Sequence, residues 1–220
     1  MKKTIYHGSV CVVKKPIFGF GRKDNDYGLA FYCTDSLELA KEWACRDELF
    51  GFANEYEFDF DGLTVLDLTD KSKYNVLNWI AIILHYRDFT DQENKSYDLE
   101  LKFLDDNYFI DVEKYDVIIG YRADDSYFSF PLSFIKSEFT LERLEEIYKL
   151  GDLEEQIVLK SKKAFNNISF IDVHDADETD HEKYQKRMKM AKEKYEAIKI
   201  EERRRVDGIR FRDIMFGEKQ

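Results

Sequence analysis

Four short stretches carry side chains that could do chemistry. In Tyr6-His7-Gly8-Ser9 a histidine stands beside a glycine near the end of an expected strand. Glycine lets another group approach the backbone closely, so its N–H and C=O could hold a carboxamide while the imidazole bonds a nearby hydroxyl. A turn with a surface histidine would account for the same four residues. In "DYGLAFYCTDSLELAKEWA", Asp26 to Ala44, Tyr32 is followed eleven residues later by Trp43. Two large rings at a strand-to-helix corner either fill a core or form the walls of a slot for a flat ring, most favourably a cationic one. In "LEEQIVL", Glu154, Glu155 and Gln156 stand at the mouth of a strand. There Glu154 and Gln156 share a face and could bond a ribose hydroxyl; an ordinary polar connection is the plainer account. In "YRADDSYF", Asp124 and Asp125 have no His or Glu at a supporting spacing, so a turn fits better than a metal pair. His174 and His181 belong to the acidic run "HDADETDH", which reads as a solvated loop rather than a metal site.

The elements that must position these residues follow from pattern. "TIYHGSVCVV" reads as a strand with a His-Gly bend, and "LAFYCT" as a short apolar strand. Asp35 is expected to cap a helix running to about Asp47, with Glu38 completing a capping box. "GFANEYEFDFDGLTVLDL" alternates and contains Asp-Gly, the signature of a hairpin. Tyr74 to His85 is expected to be a buried helix and "YDVIIGY" a buried strand. "TLERLEEIYKLG" is a helix with a threonine cap, "EEQIVLKS" the strand after it, and "KAFNNISFIDV" a short helix or turn and a further strand. A long charged helix from Asp180 to Arg205 carries the apolar stripe Tyr184, Met188, Ala191, Tyr195 and Ile198. The stripe could dock on its own domain or on a partner. The elements do not alternate regularly, which makes the expected class α+β, with a strongly bent or split sheet, a helical insertion and a long C-terminal helix.

The chain has 220 residues, 44% of them apolar and 15% aromatic, enough for a sizeable core. A net charge of −11 disfavours general binding to phosphate backbones. Three cysteines without a CxxC pair fit a reducing compartment. "MKKTIYHGSV" lacks the apolar run of a signal peptide and "WIAIILHY" is too short to span a membrane, so the expected location is the cytoplasm. No phosphate loop, dinucleotide-binding glycine motif, nucleophile elbow or zinc-protease motif is present.

Taken in order, the first three stretches resemble the ADP-ribosyltransferase superfamily, in its His–Tyr–Glu branch that includes diphtheria toxin and the poly-ADP-ribose polymerases. "DYGLAFYCTDSLELAKEWA", "YDVIIGYRADDSYF" and "QIVLKSKKAF…ISFI" are also similar to an uncharacterised bacterial family of that superfamily, often found beside a small partner gene. The likeness runs from about residue 4 to residue 172, leaving residues 173–220 as a C-terminal helical extension. It implies a split β-sandwich whose cleft grips NAD as a substrate. Gly8 would hold the nicotinamide amide, with Ser9 beside it, and His7 would bond the adenosine-side ribose. Tyr32 would stack on nicotinamide, and Trp43 would stand where a second tyrosine often sits. Gln156 would occupy the catalytic glutamate's position, and with no charge there it implies slow transfer of single ADP-ribose units or binding without catalysis. The resemblance implies a toxin or defence effector acting on a cytosolic macromolecule, more readily a protein than a nucleic acid, together with a small partner protein.

Overall fold

The structure is a computed structural model that describes residues 1–87, 97–122, 129–148, 150 and 155–217. Seven strands form a single sheet in the order β4-β5-β6-β2-β1-β3-β7. They are β1 (Lys2–Ser9), β2 (Phe31–Thr34), β3 (Gly51–Asp59), β4 (Val65–Asp67), β5 (Val117–Gly120), β6 (Gln156–Leu159) and β7 (Ile168–Ala176). All neighbours are antiparallel except β4 and β5. With helices packed around this mixed sheet, the chain is α+β.

The sheet is not evenly knitted. β1 and β3 share eight residue pairs and β2 and β6 share four, whereas β1 and β2 meet at one pair, Tyr6 opposite Thr34. Two groups of strands, β4-β5-β6-β2 and β1-β3-β7, are thus joined by one ladder pair and part beyond it. Alternation along the strands builds a core on each face. Ile5, Cys33, Tyr56, Phe58, Val117, Ile157 and Leu159 form one, closed by Ala164 of α6 (Lys162–Asn166). Leu66, Ile118 and Val158 belong to the other and larger one, which contains the helix α2 (Val76–Tyr86). That helix is apolar almost all round and buries Val76 to Leu84 apart from Asn78, the pattern of a central helix.

The remaining helices are α1 (Leu37–Ala44), α3 (Asp98–Tyr108), α4 (Ser129–Ile135), α5 (Leu141–Ile147), α7 (Glu178–Glu202) and α8 (Phe211–Phe216). Thr140 caps α5, as its sequence predicts, its hydroxyl accepting from the Arg143 amide. The cap of α1 is Ser36 rather than Asp35: Ser36 Oγ accepts from the Leu39 amide, and Asp35 instead binds Lys3 of β1 at 2.6 Å. The expected hairpin does not form. Asp61-Gly62 does turn, with Gly62 at φ +71°, but the chain then crosses to the far edge, where β4 pairs in parallel with β5. Alternation and a turn fix the local conformation of a strand but not its neighbour.

The long helix begins at a capping box formed by Asp177 and Asp180. Its stripe turns inward: Ala191, Tyr195 and Ile198 lie in the larger core and Met188 packs against it. Arg187 joins Glu42 of α1 in a nearly buried ion pair at 2.5 Å. The expected boundary between residues 172 and 173 falls inside β7, whose pairing with β3 continues to Ala176 opposite Gly51.

Candidate functional site

A cavity of about 310 Å³ opens where β1 and β2 part. His7 and Gly8 of β1, Tyr32 of β2, Trp43 of α1 and Gln156 of β6 all line it. Its size falls at the lower end of the ~300–1,000 Å³ typical of small-molecule sites. Ser9 does not line it: its hydroxyl donates to the Cys11 carbonyl at 2.6 Å and accepts from Asn54 at 3.0 Å.

The His7 and Tyr32 side chains are oriented by backbone partners. His7 Nδ1 lies 2.7 Å from the Tyr32 carbonyl oxygen. A carbonyl only accepts, so Nδ1 carries the proton and neutral His7 presents Nε2 as an acceptor. Burial pushes the imidazole pKa below its ordinary value, partly offset by that hydrogen bond, so the ring is neutral at pH 7. The imidazole thereby bridges the two strands just where their ladder stops. The Tyr32 hydroxyl is spent on the preceding turn, donating to the Gly28 carbonyl at 2.6 Å and accepting from the Tyr27 amide at 3.1 Å. Burial raises its pKa well above the usual value, keeping it protonated. Gly8 is close-packed for a reason its sequence did not reveal: a Cβ there would overlap the Ala40 carbonyl oxygen and crowd Trp43 Cβ. Glycine at this point lets α1 lie directly on β1 and brings the indole to the cavity.

Gln156 pairs with Thr34 on one side and Gly120 on the other, and is 1% exposed. Its Nε2 donates to Asp26 Oδ2 at 2.9 Å and to the Tyr121 carbonyl at 3.1 Å. Asp26 is also buried and forms an ion pair with Arg87. The loop carrying Asp26 is fastened from behind by Lys160, which donates to the Tyr27 and Leu29 carbonyls and to Glu113. Tyr27 adds a bond from its own hydroxyl to the Tyr121 carbonyl at 2.7 Å. Glu154, which would share a face with Gln156, lies outside the described residues, as do Asp124 and Asp125.

Charge is the feature that the sequence reading missed. Arg22, Arg46, Arg87 and Arg122 line the cavity against Asp24, Asp26 and Asp47, a local positive excess on a chain of net charge −11. Arg22 holds the Asp24 carboxyl down at about 2, so this pair at the rim stays ionised. The guanidinium of Arg122, itself buried, sits over the Trp43 indole, so the ring already has a cationic partner. The available signals were Asp26, two residues before Gly28, and Arg122, directly after Tyr121; both stood in stretches read for other residues. His174 and His181 are engaged elsewhere, with Glu55 and the Cys45 carbonyl. Among the described residues no cluster of His, Cys, Asp and Glu could hold a metal ion.

A family model described as a protein of unknown function, DUF3990, matches residues 3–170. The chain belongs to this family. No curated protein and no solved structure matches it. The DUF3990 span contains every residue that lines the cavity and ends within β7, so α7 and α8 lie beyond it. Among the described residues no helix is long and apolar enough to cross a membrane.

Proposed function

We propose that the cavity binds NAD and that the protein is a mono-ADP-ribosyltransferase acting on a cytosolic macromolecule. One observation carries this reading. His7, Gly8, Tyr32, Trp43 and Gln156, which come from β1, β2, α1 and β6, line one cavity at the point where the sheet divides. The divided sheet is what a split β-sandwich of the ADP-ribosyltransferase kind needs at that position. The arginines suit the diphosphate of a dinucleotide, since guanidinium groups pair well with phosphate oxygens.

In this reading the Gly8 backbone holds the carboxamide, Tyr32 offers a ring face to nicotinamide, and His7 Nε2 accepts from the adenosine-side ribose. A pyridinium could share Trp43 only if Arg122 turned from the indole towards the diphosphate. Loss of nicotinamide passes through an oxocarbenium-like state, which a nearby acceptor stabilises. A toxin or defence role, with a small partner protein, belongs to the same proposal and rests on the sequence resemblance.

Titration calorimetry with NAD, followed by incubation of labelled NAD with cell lysate, tests the reading. Binding, nicotinamide release and transfer of label are expected, and Tyr32→Ala should weaken all three. Absence of binding would remove the proposal. A second reading, an NAD or ADP-ribose binding module without catalysis, is favoured by the neutral amide of Gln156; binding without release would select it. Ala191, Tyr195 and Ile198 of the α7 stripe lie in the larger core with Met188 packed against it, which supports docking of that helix on its own domain.

A further inference from the structure

The departure from a carboxylate at Gln156 has a structural cause, and it points to a residue that the sequence pattern does not assign. Both N–H groups of the Gln156 amide are committed to acceptors, one to Asp26 Oδ2 and one to the Tyr121 carbonyl. Neither acceptor could receive the amide the other way round, so the flip is fixed and Oε1 takes part in neither bond. A glutamate here would set a second carboxylate about hydrogen-bond distance from Asp26 and against a carbonyl oxygen, which is strongly unfavourable in a buried place. The negative charge has therefore not been lost from the site. It stands one hydrogen bond behind the amide, on Asp26, itself 4% exposed and held by Arg87.

We propose that Asp26 is the positioning residue of this site: it fixes Gln156 with Oε1 towards the ribose hydroxyl and polarises that oxygen through the amide. The inference rests on the NAD reading above. A hydrogen bond from the amide to an anion strengthens the amide oxygen as an acceptor, because bonded chains polarise one another in a low dielectric. The assisted step is cleavage of the bond between ribose C1′ and the pyridinium nitrogen. The bonding pair goes to nitrogen, neutral nicotinamide leaves, and water or an acceptor forms the new bond at C1′ and gives its proton to solvent. Oε1 would bond the 2′-hydroxyl as positive charge gathers at C1′. The loop fastened by Lys160, through the Tyr27 and Leu29 carbonyls, gives Asp26 a fixed position from which to act.

The test compares four full-length proteins: wild type, Asp26→Asn, Gln156→Glu and the double variant that exchanges the two chemistries. NAD affinity is read by calorimetry, nicotinamide release by chromatography and folding by thermal melting. With the wild type binding NAD, Asp26→Asn should lower the maximal release rate about tenfold, the difference between a charge-assisted and a neutral hydrogen bond, with affinity nearly unchanged. Gln156→Glu should melt earlier than wild type and be slower, not faster. The double variant, which restores one carboxylate against one amide but still faces the Tyr121 carbonyl, should recover part of the melting temperature and of the rate relative to Gln156→Glu. If Asp26→Asn does not fold, the comparison of Gln156→Glu with the double variant decides. NAD binding with an unchanged Asp26→Asn rate, or a Gln156→Glu protein faster than wild type, would overturn the inference while leaving the NAD reading intact. A wild type that binds NAD without releasing nicotinamide would overturn this inference and select the non-catalytic reading; one that does not bind NAD would overturn the NAD reading and this inference with it.

Discussion

Two regions of this molecule each bury a carboxylate among arginines, and they have opposite surroundings. Asp26 stands behind Gln156 with Arg87 beside it, at a cavity also lined by His7, Tyr32 and Trp43. Glu202, 2% exposed at the end of α7, accepts from the Thr140 amide at 3.1 Å and lies within ion-pair reach of Arg143, Arg205 and Arg210. A cavity of about 390 Å³ adjoins Glu202 too, but its lining is Glu138, Glu202, Lys199 and three arginines, with no aromatic ring. Arg210 there also donates to the Ser137 and Arg205 carbonyls. The Glu202 cluster ties the end of α7 to the start of α5 and the chain beyond. The Asp26 cluster orients an amide and leaves ring faces and an imidazole nitrogen for something else. A buried ion cluster is thus not in itself a sign of function; what its partners leave open distinguishes the two.

The comparison can be broken most directly at Glu202. Glu202→Ala should destabilise the fold by about 1–3 kcal/mol, because the buried Thr140 amide loses its acceptor. Denaturant unfolding would measure it, and NAD affinity of the folded fraction should not change. A loss of affinity equal to that of a cavity variant would erase the distinction. At the other site, Trp43→Ala should weaken NAD binding by about 0.5–1.5 kcal/mol, tenfold or a little more at most, through lost ring contact. Calorimetry with the folded variant reads this; unchanged affinity would mean that the indole serves Arg122 alone.

The smallest effect concerns His7. Its folded pKa lies below that of the unfolded chain, so the unfolded state takes up the proton first as pH falls. The stability it contributes is fully present above about pH 6.5 and is lost progressively below that as pH approaches the depressed folded value. His7→Asn should therefore flatten the stability profile just below pH 6.5, and melting curves at closely spaced pH would show it. An unchanged slope would mean that the His7 imidazole is not shielded from water in solution, since burial is what lowers its pKa.

The sequence carries its local elements openly: Thr140 as a cap, the apolar runs of α2 and β5, and the long α7 with its stripe. Propensity, capping and periodicity act over a few residues, so they can be read from a few residues. It also supplied five residues that line the cavity, because their types and order form a pattern. Tertiary structure alone decided what those patterns meet. It sent β4 to pair with β5 instead of β3, set α1 on Gly8, and turned the α7 stripe into the core. It brought Asp26 to Gln156 and Arg122 to Trp43. Strand partners and charge partners far apart in the chain are chosen by which surfaces close together, and that choice leaves little trace in any single stretch.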